Sequence, residues 1–255
     1  MSAARLDHTL EGAPDAPALL LCNSLGSTRA MWDAAAPALR ERYRLVRFEL
    51  RGHGRSESPP GPWDVADLGG DVLGLMDELS LSRAHVCGLS LGGMVAMWLA
   101  INAPERVDRL VLCCTSARLG PVSMWVERAR SVRAGGTECV AGAVVERWVT
   151  PEWRRAHPDE SERLRAMVAA TPAHGYAECC GAIERMDLQP LLGVISAPTL
   201  VIAAERDPST PPDHARAIAT GVSGSRLQLL PDAAHLAVVE QPEAVSTLIA
   251  EHLAE

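Results

Sequence analysis

The sequence predicts an α/β protein, built on a mostly parallel sheet with helices on both faces and a helical cap inserted late in the strand order. Three observations predict this. Short apolar runs of strand type alternate with stretches of helical period. A serine stands between glycines where one such strand gives way to a helix. The alternation then stops between about Pro121 and Pro190, and resumes at Pro198.

In chain order, Ala18–Ser24, Tyr43–Leu50, Ala84–Ser90, Val107–Cys114, Pro198–Glu205 and Arg226–Leu230 read as buried strands. Between them, Asp64–Leu79 repeats Val65, Leu68, Val72, Leu75, Met76 and Leu79 near the 3.6-residue period of a helix. Leu91–Asn102 and Pro242–Leu253 behave likewise. The interrupting segment contains three helical phrases, GPVSMWVERARSVRAGG, ECVAGAVVERWVTPEW and SERLRAMVAATPAHGYAECCGAIERMDL, joined by Pro and Gly turns. This divides the chain into a core of residues 1–120 and 191–255 and a helical cap of residues 121–190.

The composition excludes several function classes. A chain of 255 residues, 47% of them hydrophobic, can bury a full core and is not disordered. A net charge of -8 argues against a nucleic-acid partner, which needs a basic face. All 24 cationic residues are arginine. The N-terminal stretch lacks the apolar core of a signal peptide, and no apolar run approaches the roughly 18 residues needed to cross a bilayer. The expectation is a cytoplasmic protein with no membrane partner. The seven cysteines are odd in number, show no metal-ligand spacing and include the adjacent pairs Cys113–Cys114 and Cys179–Cys180. They read as buried free thiols, with no metal. The sequence carries no signal of oligomeric state.

The chemistry centres on Gly88–Gly92, G-L-S-L-G, which follows the strand AHVC and precedes the helix MVAMWLA. A sharp strand-to-helix turn lifts the Ser90 hydroxyl above the sheet edge, and the residues two before and two after must be tiny. A serine hydroxyl is a weak nucleophile, so it needs a base to take its proton and an acid to orient that base. Asp207 and His235 follow in the order acid then histidine, each in a loop just past a buried strand. Glu205 is the alternative acid, and His53, in RGHGRS, reads as structural. An oxyanion hole needs two backbone N–H groups. Leu91, directly after the nucleophile, supplies one. The loop CNSLGST supplies the other, from Leu25 with Ser24 as the alternative.

Together these residues resemble the α/β-hydrolase superfamily over essentially the whole chain. The finer resemblance is to 3-oxoadipate enol-lactonases of the β-ketoadipate pathway. It is carried by LCNSLGSTRAMWD, RGHGRSESPPGPWDVADLGGDVLGLMDEL, HVCGLSLGGMVAMWLA, VEQPEA and, most specifically, the cap phrases ERWVTPEW and ATPAHGYAECC. The chain departs from the pattern mildly, with Glu49 where an aspartate is frequent. The resemblance implies an α/β-hydrolase fold, a Ser90–Asp207–His235 triad, a small carboxylated lactone as substrate and no cofactor. Some actinobacterial relatives carry a fused decarboxylase domain, and nothing in these residues resembles one.

A carboxylate entering a cap pocket needs a cationic or hydrogen-bonding partner. The cap offers arginines at 128, 130, 133 and 147, with Trp125 and Trp148 nearby. The expected substrate-binding residues are Trp148 and Arg147. Neighbours on a helix point about 100° apart, so one of the two is expected to face inward. The alternatives are that Trp148 is cap core and Arg147 a solvated charge. Two rival functions share this scaffold: another small-substrate hydrolase (carboxylesterase, carbon–carbon bond hydrolase or perhydrolase) and a non-catalytic receptor.

Overall fold

A computed structural model describes residues 3–255. Among them, β1 (His8–Glu11), β2 (Ala18–Cys22), β3 (Arg44–Phe48), β4 (Ala84–Leu89), β5 (Val107–Cys113), β6 (Thr199–Ala204) and β7 (Arg226–Leu230) form one sheet. The order is β1-β3-β2-β4-β5-β6-β7. β1 runs antiparallel to β3, and the other pairs are parallel. The central strands β2, β4 and β6 are buried along their whole length, as expected for a sheet covered on both faces. The fold is that of an α/β hydrolase.

Around the sheet lie α1 (Ala36–Leu39), α2 (Val65–Glu78), α3 (Leu91–Asn102), α4 (Val122–Gly135), α5 (Glu138–Trp148), α6 (Pro151–Ala156), α7 (Pro158–Ala169), α8 (Ala173–Arg185), α9 (Pro212–Gly221), α10 (Ala237–Glu240) and α11 (Pro242–Leu253). A capping box of Asp64 and Asp67 starts α2, and its apolar stripe from Val65 to Met76 is buried. α3 is buried nearly all round. None of the described helices is long and apolar enough to cross a membrane.

The structure departs from the sequence reading in several places. Five expected strands overran their ends; beyond β2 the chain stays buried, with Asn23 and Ser24 each 1% exposed, whereas Pro198 and Glu205 beside β6 are exposed. β1 was not expected; it is four residues at a sheet edge, half-buried, with Leu10 exposed. Nor was α9, a ten-residue helix with a clear amphipathic period whose buried side chains are only Ala215 and Ile218. Residues 121–190 form five helices, α4 to α8, from the three helical phrases. Pro151 and Pro158 open α6 and α7, and Pro172 precedes α8, because proline lacks the N–H that a helix interior needs but suits a helix start. Cys139 is exposed, whereas the other six cysteines are buried as free thiols.

Candidate active site

Ser90 sits between β4 and α3 with φ 58° and ψ −118°, a left-handed backbone that costs a non-glycine residue strain. The turn closes because its flanking residues have no side chains. A Cβ on Gly88 would lie 2.1 Å from the Gly92 carbonyl oxygen, and one on Gly92 would lie 2.3 Å from that of Cys22. β5 braces the turn. The Ser90 N–H donates to Cys113 O (3.0 Å), and Thr115 Oγ1 donates to Ser90 O (2.6 Å).

Asp207 follows β6, and its carboxylate is saturated with donors. Oδ1 accepts from the Ser209 and Thr210 amides at 2.7 and 3.0 Å. Oδ2 accepts from Thr210 Oγ1 at 2.7 Å and from His235 Nδ1 at 2.8 Å. Burial alone would raise the Asp207 pKa. The His235 charge and the hydrogen bonds from His235 and Thr210 outweigh burial and hold the carboxyl below its ordinary value. With Nδ1 committed to Asp207, the His235 Nε2 is the nitrogen left to take a proton.

Ser90 and His235 line one cavity, whose empty volume is about 480 Å³ including the open solvent at its mouth. That lies toward the lower end of small-molecule sites. No hydrogen bond joins the Ser90 hydroxyl to His235 among the described residues, and in unliganded enzymes this contact commonly tightens only with substrate. Glu205, the alternative acid, is exposed one residue past β6. Leu25 and Ser24 also line the cavity, with Leu91 at the first position of α3. Among the described residues, neither the Leu25 nor the Leu91 amide is engaged in another hydrogen bond.

Side chains of α4, α5 and α8 also line the cavity. Trp148 is 3% exposed and lines the cavity, and so does Arg147. The expectation that only one faces inward is therefore corrected. The pair ends α5, and the Trp148 carbonyl is tied to the core by the Leu236 amide (2.7 Å), so the cavity wraps around the helix terminus. Arg128 joins them, its guanidinium carbon 4.9 Å from the centre of the Trp125 ring. Burial lowers the Arg147 pKa, and the neighbouring Arg128 charge lowers it further. Neither arginine meets a carboxylate among the described residues. The other two arginines of α4 do: Arg130 pairs with Glu127, and Arg133 with Glu178 at 2.8 Å. The site thus holds two half-buried cations without counterions in a chain of net charge -8.

The sequence reading missed Thr210, Thr115 and Tyr176. Thr210 was foreshadowed by D-P-S-T, where an aspartate can accept from amides two and three residues on. Tyr176 lines the cavity from α8, within the phrase that carried the family resemblance. Thr115 had no signal, since its role depends on the packing of β5 beside the turn. Among the described residues, no three His, Cys, Asp or Glu side chains group as metal ligands.

The α/β hydrolase fold family matches residues 17–242. The chain belongs to the α/β-hydrolase family. It is an enzyme of the carboxylic ester hydrolase class. Over 239 residues it is 37% identical to 3-oxoadipate enol-lactonase 2 of Acinetobacter baylyi, a match covering 94% of this chain and 89% of that one. A putative carbamate hydrolase, RutD, of Agrobacterium fabrum is 29% identical across 94% of both chains. Among solved structures, the enol-lactonase of Burkholderia xenovorans superposes with a TM-score of 0.97 at 37% identity, covering 99% of this α/β hydrolase and 97% of that chain. A hydrolase from Pseudomonas aeruginosa is 44% identical, with a TM-score of 0.95, over 99% and 95% of the two chains.

Proposed function

We propose that this protein is a cytoplasmic serine hydrolase that opens 3-oxoadipate enol-lactone to 3-oxoadipate, in the β-ketoadipate route of protocatechuate and catechol degradation. Helices of residues 121–190 form a cap over a core of residues 1–120 and 191–255, and the substrate enters between them. His235 takes the Ser90 proton while Asp207 holds the imidazole. Ser90 Oγ adds to the lactone carbonyl, and the Leu25 and Leu91 amides receive the oxyanion. The ring C–O bond breaks, the enol oxygen leaves with the proton from His235, and an acyl-enzyme remains. Water, deprotonated by His235, releases the diacid product and restores Ser90. No cofactor takes part.

The single observation that carries the substrate class is the pair Arg128 and Arg147. Two half-buried cations without counterions are expensive to leave unpaired, and a substrate carboxylate would satisfy them. The enol-lactonase relatives, alike over nearly the whole chain, support the particular lactone. Replacing Arg147 by Gln should raise KM for the carboxylated lactone about tenfold or more, the scale of a hydrogen bond to a charged group. KM for a neutral ester of similar size should stay within about twofold. Equal losses on both substrates would remove Arg147 from carboxylate recognition.

A further inference from the structure

The turn Asn23–Thr28 leaves the Leu25 amide available by engaging its neighbours. The Ser24 N–H points at Met31 Sδ (3.4 Å), and the Gly26 N–H donates to His53 Nε2 (2.9 Å). The Ser27 N–H donates to Ser24 O (3.2 Å), and the Thr28 N–H points at Met167 Sδ (3.3 Å). In a trans peptide the N–H and C=O point opposite ways. The Ser24 carbonyl shares a peptide with the Leu25 N–H and accepts from the Ser27 amide and also from Ser27 Oγ (2.8 Å). The Leu25 N–H is therefore turned away from the closed side of the turn. The peptide that follows Leu25 is held by His53 through the Gly26 N–H, and Thr171 Oγ1 donates to the Gly26 carbonyl from the cap (3.2 Å).

We infer that His53 is a positioning residue for the oxyanion site: its Nε2 lone pair anchors the Leu25–Gly26 peptide and so keeps the Leu25 N–H aimed at the developing oxyanion. This rests on the serine-hydrolase reading above. The tautomer is forced by the partners. His53 Nδ1 lies 3.1 Å from Arg51 O, which can only accept, so Nδ1 carries the proton and Nε2 is left as the acceptor that the Gly26 N–H requires. The ring is 1% exposed, and burial pushes its pKa down to about 4, which keeps that lone pair free near neutral pH. Its own anchor is rigid: the Arg51 guanidinium is buried against Asp71 (Nη2–Oδ1 2.6 Å). Gly26 itself has φ +77°, and a Cβ there would lie 2.8 Å from the Tyr176 ring, so the turn has no slack to reorganise around a lost contact.

The test compares wild type, His53→Leu and His53→Gln on the lactone and on a neutral aryl ester, together with inhibition by a small alkylboronic acid. Such an acid adds the serine oxygen at boron and gives a tetrahedral anion in the oxyanion site. His53→Leu should lower kcat and kcat/KM alike by about 10–100-fold on both substrates, somewhat less than outright loss of an oxyanion donor. Boronate affinity should fall by the same factor. His53→Gln offers a carbonyl acceptor near the place of Nε2 and should recover most of both. Wild-type and His53→Leu enzymes equally sensitive to the boronate would overturn the role of His53 alone; a wild type that ignores the boronate would overturn the serine reading itself. Should His53→Leu not fold, nitrogen-15 imidazole spectra of the wild type decide the matter. A protonated Nδ1 and a hydrogen-bonded, unprotonated Nε2 are expected, and a proton on Nε2 would overturn the inference.

Discussion

At the scale of single residues, the account depends on a hydroxyl and an imidazole that line one cavity and on a carboxylate bonded to that imidazole. Ser90→Ala removes the covalent route and should lower lactone turnover by on the order of 10⁴-fold or more, with the fold retained by circular dichroism. A variant keeping a tenth of the activity would defeat the mechanism. Asp207→Asn leaves Nδ1 of His235 without its charged acceptor. Turnover should fall on the order of a thousandfold, measured on the same lactone. These three residues stood out in the sequence because each lies just past a strand. The arginines that line the cavity did not stand out equally. ERWVTP drew attention to Arg147, whereas Arg128 was one of four alternatives, because the difference between a cavity cation and a surface ion pair lies in its neighbours. Arg133 finds Glu178 from another helix, and nothing local to Arg128 or Arg133 announces that.

Among the elements, the β4–Ser90–α3 turn is the one that sequence pattern fixes most tightly. Gly92→Ala would put a methyl group 2.3 Å from the Cys22 carbonyl oxygen, a backbone atom that cannot move without disturbing β2. A loss of about 1–3 kcal/mol or more is expected in urea denaturation, by the scale of overpacked interiors. A wild-type midpoint would show that the turn has room to spare. The central strands were legible because they are apolar throughout, and α2 because its stripe repeats at helical period. β1 was not, since four half-buried residues carry too little pattern, and α9 has a helical period but only two buried side chains behind it. Beyond β2 and β3 the strand ends were overrun because burial does not stop where the hydrogen-bonded ladder does: Asn23, Ser24 and Leu50 are each 1% exposed. The cap was legible as helical, but its subdivision rested on prolines that open α6 and α7 within phrases that read as continuous.

For the molecule as a whole, electrostatics couples stability to pH through a buried acid beside the Asn23–Thr28 turn. Glu49 accepts from the Arg29 amide (3.1 Å) and from Asn23 Nδ2 (3.3 Å) and is 4% exposed. Burial pushes its pKa up to about 7 against the opposing pull of Arg29, from an ordinary value of 4.5. Between those two values the folded protein holds a proton that the unfolded chain has released. The contribution of Glu49 to stability therefore declines as pH rises through that window. Glu49→Gln loses that dependence, so its Tm relative to wild type should rise between about pH 5 and pH 8. A difference that stays constant or falls would contradict the shift.

The same scale holds the functional claim, a cationic pocket under a cap in an otherwise acidic molecule. The most direct measurement is kcat/KM on freshly generated 3-oxoadipate enol-lactone beside a neutral aryl ester and a carbamate, for wild type and Ser90→Ala. The account predicts that the lactone is preferred by about a hundredfold or more, the scale of one satisfied charged contact at its upper end, and that the preference and the turnover both depend on Ser90. A preference for the ester or the carbamate, or lactone opening that survives loss of the serine, would contradict it.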